Sequence, residues 1–247
     1  MGLDTDDKGI TPLKAITPDT DFLSGQLFLV DKPLHWTSFD VVNKVRYAVR
    51  RRLGIKKVKV GHAGTLDPLA TGLLLLAVGR MTKRLQELQD LPKEYQGTMC
   101  FGASTPTYDS EMSPNEIFDL ETLSKEIILK HLPAFKGDIY QIPPVFSAVK
   151  KDGKSAYKYA RKGQEVQLNP RKVHIYKFDI MEKQWPEFDF NVRCSKGTYI
   201  RSLAHDLGKA CGNGAYLTRL VRTHIGTYSL EEAWQLEDLI DALNPEQ

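Results

Sequence analysis

The chain has 247 residues, 41% hydrophobic and 26% charged, with 34 Lys and Arg against 31 Asp and Glu. That length supports one large domain or two small ones, and the balance is that of a globular protein with a sizeable core. No apolar run approaches a membrane span, the three cysteines form no CxxC pair and the six histidines form no HExxH, which argues against a membrane protein, a disulfide scaffold and a zinc site.

Residues 1–22 are polar, with Pro12 and Pro18. They read as a flexible extension without a signal-peptide pattern, so the expected location is the cytoplasm. Residues 27–30 are a short apolar strand closed by Asp31-Lys32-Pro33. Val42, Val45, Val49 and Leu53 then repeat at helical spacing, with Thr37 or Ser38 as the cap and Gly54 as the stop. Arg46, Arg50, Arg51, Arg52, Lys56, Lys57 and Lys59 cluster at the end of this helix. The cluster reads either as phosphate contacts or as a solvated helix end that suits the dipole.

Gly61-His62-Ala63-Gly64-Thr65-Leu66-Asp67-Pro68-Leu69-Ala70-Thr71-Gly72 crowds three glycines, a proline and two threonines into twelve residues and reads as a shaped loop. Asp67 is its only acid. A carboxylate fixed on such a loop serves as a nucleophile or general base, or as a turn aspartate bonded to its own backbone. A buried strand follows over 73–78.

Residues 82–88 read as a short helix, 95–101 as a strand, 104–118 as a loop and 120–132 as a helix. From Gln141 to Gly163, prolines, aromatics and the basic residues Lys150, Lys151, Lys154, Lys158, Arg161 and Lys162 interleave. That composition suits a projecting segment that grips nucleic acid by charge and stacking. Residues 172–180 and 188–194 read as strands, and Lys196-Gly197-Thr198 turns into a helix carrying Ile200, Leu203, Leu207 and Ala210. Residues 217–223 read as a strand, Ser229 to Glu232 as a capping box and 236–243 as a last helix. Strands and helices mix without regular βαβ alternation, so the expected class is α+β with a large mixed sheet flanked by helices.

The Asp67 loop resembles the signature loop of the TruB family of tRNA pseudouridine synthases. The likeness continues through Val30-Asp31-Lys32-Pro33, Lys93-Glu94-Tyr95, Gln141-Ile142-Pro143-Pro144, Ser147-Ala148, Lys196 to Arg201, Gly214 to Leu217, Leu220 and Arg222-Thr223. The resemblance implies a catalytic domain over 23–247 with a thumb-like insertion near 141–163, and conversion of uridine 55 in the tRNA T-loop to pseudouridine after base flipping. It implies no cofactor, no metal, no membrane and no obligate protein partner. The expected state is a monomer.

By the same resemblance Asp67 is the nucleophile, Arg201 pairs with it, and Tyr95 stacks on the uracil. His62, Tyr199, Leu220, Lys32, Lys150 and Arg222 bind substrate. The chain departs from the family pattern in having Ala63 beside His62 and Val221 before Arg222, and no PUA domain is expected. Two readings stand beside the enzyme: a tRNA-binding folding factor, and a synthase for another T-loop-like RNA.

Overall fold

The computed structural model describes residues 9–244 apart from 148, 152, 161–163 and 165, and the side chains of some residues between 150 and 160 fall outside the description as well. In chain order the elements are β1 (Gln26–Lys32), α1 (Ser38–Leu53), β2 (Val60–Ala63), β3 (Ala70–Val78), α2 (Leu85–Asp90), β4 (Lys93–Phe101), β5 (Ala103–Ser104), β6 (Glu116–Ile117), α3 (Lys125–His131) and β7 (Gly137–Gln141). There follow β8 (Lys150–Lys151), β9 (Lys154–Ser155), α4 (Ala156–Ala160), β10 (Arg171–Gln184), β11 (Glu187–Cys194), α5 (Ile200–Ala210), β12 (Ala215–Ile225), β13 (Tyr228–Ser229), β14 (Trp234–Gln235) and α6 (Leu236–Leu243). The class is α+β, and ten of the strands belong to one mixed sheet. No described helix is long and apolar enough to cross a membrane.

The chain forms two compact units, one of Met1–Glu94 with Val221–Gln247 and the other of Tyr95–Leu220. In the first unit β1 pairs antiparallel with β3, from Gln26 opposite Val78 to Lys32 opposite Gly72. β2 pairs with the other edge of β3, and β14 runs parallel to β1. β3 is therefore central, which explains its unbroken apolar text: both of its faces are covered. On one face Phe28, Val30, Leu74, Leu76 and Val78 pack with Val41, Val42, Val45 and Val49 of α1 and Leu236, Leu239 and Leu243 of α6. On the other, Leu27, Leu29, Leu73 and Leu75 pack with Ile10, Leu88, Ile225 and Tyr228.

Helix α1 begins on a full capping box. The Thr37 side chain accepts from the Asp40 backbone N–H, the Asp40 carboxylate accepts from the Thr37 backbone N–H, and Gly54 closes the helix at φ 62°. The basic cluster at its end is partly engaged by the protein itself. Arg46 donates to Asn43 and to the Val60 carbonyl, and Arg52 to the Ala242 and Thr17 carbonyls. Arg50, Arg51, Lys56, Lys57 and Lys59 are exposed.

The expected flexible extension divides. Residues 1–8 lie outside the described residues, whereas Ile10, Leu13, Ile16 and Phe22 pack on this unit. Tyr228 donates to the Ile10 carbonyl at 2.9 Å, Trp234 to the Leu13 carbonyl at 3.0 Å, and Leu13 N–H to Leu27 at 2.7 Å. Ile10 and Phe22, isolated in polar text, are the buried anchors. The capping-box pattern at Ser229 caps only a 3₁₀ turn, Leu230–Glu232, because the Ser229 hydroxyl accepts from Glu231 N–H; α6 starts later, after Gln235.

In the second unit β11, β10 and β7 form an antiparallel run. Phe178, Phe188, Phe190 and Val192 are buried on it, and Phe101, Ile128, Leu132, Leu203 and Leu207 are buried elsewhere in the unit. Phe178 meets Phe190 edge-on at 6.3 Å, and Phe101 meets Phe188 at 5.5 Å.

Candidate active site

The ends of the glycine-rich stretch are strand, not loop: Gly61 to Ala63 belong to β2, and Ala70 to Gly72 open β3. The free span is residues 64–69, with Asp67 half-buried at its centre. The backbone around Asp67 is pinned on both sides. The Ser38 hydroxyl bridges to Leu66, accepting from its N–H at 2.8 Å and donating to its carbonyl at 3.2 Å. His35 N–H donates to the Pro68 carbonyl at 2.8 Å, and Ala70 N–H to the Asp67 carbonyl at 3.1 Å. The helix start at Ser38 thus holds the Asp67 loop in place, a tie that no local sequence pattern announces.

Arg222, expected to bind substrate, is 1% exposed. Its guanidinium donates to the carbonyls of Leu73 at 2.8 Å, Gly64 at 3.0 Å and Thr65 at 3.5 Å. A planar fork of donors suits this task, and it staples the start of the Asp67 loop to β3. The glycines make room for it. Gly64 sits at φ 91°, and a Cβ there would come 3.4 Å from the Arg222 guanidinium; at Gly72, φ 103°, a Cβ would fall 2.4 Å from the Arg222 carbonyl.

Lys32 is likewise fully buried. Its ammonium donates to the carbonyls of Pro33 at 2.8 Å and Trp36 at 2.7 Å, which fixes the turn leading into α1. Burial pushes its pKa down to about 8, with the Asp67 carboxylate opposing that fall and the Arg222 charge adding to it. His62 lies on β2, half-buried. Burial and the Arg222 charge hold its pKa below the ordinary histidine value, so the ring is neutral near pH 7. Lys93 is 5% exposed and donates to the Gln89 and Leu91 carbonyls.

In the second unit, Tyr95 is buried on β4, and Leu220 is half-buried on β12. Tyr199 is the residue before α5, and its backbone pairs reciprocally with the Gln141 amide: N–H donates at 2.7 Å and the carbonyl accepts at 2.9 Å. Ser202 donates to the Ile142 carbonyl at 2.8 Å. Arg201, 4% exposed, donates to the carbonyls of Thr107 at 3.0 Å and Phe146 at 3.0 Å and faces the Asp109 carboxylate at 3.6 Å. The start of α5 therefore anchors the root of the expected thumb, residues 141–146. Asp109 and Thr107 escaped the sequence reading because nothing in their polar loop marks one acid from the rest. The Lys150 backbone lies in a two-residue hairpin with Ser155, and its side chain is outside the described residues.

Residues 50–200 match the TruB family pseudouridylate synthase N-terminal domain, and residues 201–247 match the tRNA pseudouridylate synthase B C-terminal domain. The chain belongs to the TruB family. Among its relatives, the tRNA pseudouridine synthase B of Flavobacterium johnsoniae is 50% identical over 88% of this chain and 95% of its own. That of Phocaeicola vulgatus is 47% identical over 92% of this chain and 97% of its own. Among solved structures, a Cbf5-Nop10-Gar1 complex is similar with a TM-score of 0.67 at 27% identity, covering 96% of this chain and 61% of that one. An H/ACA RNP bound to a substrate RNA containing 2′-deoxyuridine gives a TM-score of 0.62 at 27% identity, over 87% of this chain and 52% of that one. Within the TruB match, Asp67, Tyr95 and Tyr199 fall in the N-terminal part, and Arg201, Leu220 and Arg222 in the C-terminal part.

Proposed function

We propose that this TruB-family chain isomerises the T-loop uridine of tRNA, position 55, to pseudouridine, with Asp67 as the nucleophile. One observation carries the reading: the single acid of the signature loop sits on backbone fixed by Ser38, His35 and Arg222, in a chain half identical to relatives named tRNA pseudouridine synthase B. A reaction that rejoins the same base to the same sugar needs an attacking group held still while the base turns. The ribose–N1 bond breaks, the uracil rotates, and the ribose–C5 bond forms; C5 then gives up its proton and N1 takes one up, so the product is an isomer of the substrate. A carboxylate opens this sequence at C6 of the ring or at the sugar carbon.

Arg201 is the cation for Asp67 in this reading, and Tyr95 stacks on the extruded uracil. Tyr199 contacts the target nucleotide, and Leu220 packs beside the base. His62, neutral and on the strand before the loop, inserts into the T-loop. Extruding the uridine costs a few kcal/mol of stacking, which the aromatic and basic thumb at 141–163 repays by closing on the RNA. Lys150 is its phosphate contact. Lys32 and Arg222 act behind the site, on loop shape and charge. No metal, cofactor or protein partner enters the reaction, and the working form is a monomer.

The test is an unmodified tRNA transcript incubated with the protein alone and mapped for pseudouridine at every position. Product confined to the T-loop uridine supports the proposal. Product elsewhere, or tight tRNA binding without product, overturns it.

A further inference from the structure

Arg201 is held by a loop whose shape is unusual. Tyr108 lies between the two Arg201 acceptors in that loop, the Thr107 carbonyl and the Asp109 carboxylate, and adopts φ 62°. A tyrosine in the left-handed region is strained and needs a compensating contact. The contact is His205. The two rings lie face to face, centroids 3.8 Å apart and 13° from parallel. His205 follows Arg201 by four residues on α5, so the two side chains share one face of that helix, one turn apart. Burial and the nearby Lys209 charge keep the His205 ring on the neutral side of its usual behaviour, so the stack needs no cation. The backbone of the same loop is tied in by Leu217 N–H to the Tyr108 carbonyl at 3.0 Å and by the Thr105 hydroxyl to the Asp109 carbonyl at 2.7 Å.

We propose that the Tyr108–His205 stack is a positioning pair for Arg201: it locks residue 108 in its left-handed conformation and thereby fixes the carbonyl and carboxylate that orient the guanidinium. This rests on the reading that places Arg201 in the reaction. The pair touches neither base nor sugar. Its effect is on kcat, because a misaimed guanidinium is felt when charge moves and not when tRNA docks.

The test is steady-state pseudouridine formation by the full chain, with tRNA affinity and thermal unfolding measured beside it. Tyr108→Phe keeps the ring and retains kcat within about twofold, since stacking needs no hydroxyl. Tyr108→Gly accepts the backbone angle but removes the ring, and His205→Leu removes the other half. Each lowers kcat by roughly tenfold or more, the scale of small misplacement, with KM and tRNA affinity little changed. The double variant is no worse than the worse single, as for two residues of one contact. If Tyr108→Gly does not fold, Tyr108→Asn takes its place, because Asn also tolerates the left-handed region. Wild-type kcat in a folded Gly or Asn variant overturns the proposal. So does a KM rise at constant kcat, which marks a binding role. Arg201→Met separates the two readings. Full turnover in that variant removes Arg201 from the reaction and the positioning pair with it, whereas loss of turnover there beside normal Tyr108→Gly turnover defeats the positioning claim alone.

Discussion

Replacing Arg222 with Met tests the staple that holds the Asp67 loop. Met fills much of the same space but donates nothing. Two short charge-assisted hydrogen bonds, to Leu73 and Gly64, are lost, and the long third one to Thr65 counts for little. Each short bond is worth about 1.5–3 kcal/mol, and removing a fully buried charge returns part of its desolvation, so the net loss is about 3 kcal/mol. At this chain size that lowers Tm by roughly 6–12 °C. Arg222→Lys keeps the charge without the fork and falls between. Two further signs follow. The Arg222 charge depresses the pKa of both Lys32 and His62, so Arg222→Met raises both, and NMR titration of the His62 ring reads the change. Turnover falls at temperatures where the variant is still folded, because the start of the Asp67 loop is no longer stapled to β3. An Arg222→Met protein with Tm within about 2 °C of wild type and full turnover refutes the staple.

Gly72→Ala places a Cβ 2.4 Å from the Arg222 carbonyl at φ 103°, and the expected cost of about 3 kcal/mol or more appears as a large Tm drop or insoluble protein. Lys32→Met takes the ammonium donor from the half-buried Pro33 and Trp36 carbonyls, and urea denaturation should show a loss of about 2–4 kcal/mol. Asp206 is a pH probe. Burial pushes its carboxyl up to about 6 against the pull of Lys209, whereas in the unfolded chain it ionises near 3.9. The folded state therefore holds a proton between those values that the unfolded state has released, and stability falls as pH rises through that window. The Tm advantage of Asp206→Asn should grow from pH 4 to about pH 6 and level off above; a pH-independent difference would remove the buried-acid explanation. Thr37→Ala breaks the capping box of α1 and should cost about 1 kcal/mol in the same denaturation assay.

Local patterns carried much of the fold into the sequence. The valines of α1 at helical spacing, the Thr37 cap and the Gly54 stop all appear where the periodicity puts them. So do the apolar text of β3 and the alternation of β11. What was not legible depends on contacts far apart in the chain. Arg222 reads as one more basic residue on a strand, because its carbonyl partners lie about 150 residues away. Lys32 reads as a surface lysine until the Pro33 and Trp36 carbonyls are seen to fold back on it. Ile10 and Phe22 disappear into a polar N-terminal segment, although each is buried. Asp67 stood out through the likeness of its loop to the TruB signature, because local spacing alone leaves it equally a turn aspartate, whereas Asp109 and His205 carry no local signal at all.

In the proposed mechanism the Asp67 carboxylate opens the reaction. Single-turnover pseudouridine formation on a tRNA transcript, comparing wild type with Asp67→Asn and measuring tRNA affinity and Tm on the same samples, tests it most directly. Asp67→Asn gives no detectable product, with the RNA bound and the protein folded as in the wild type. Product formed by Asp67→Asn at the wild-type rate contradicts it.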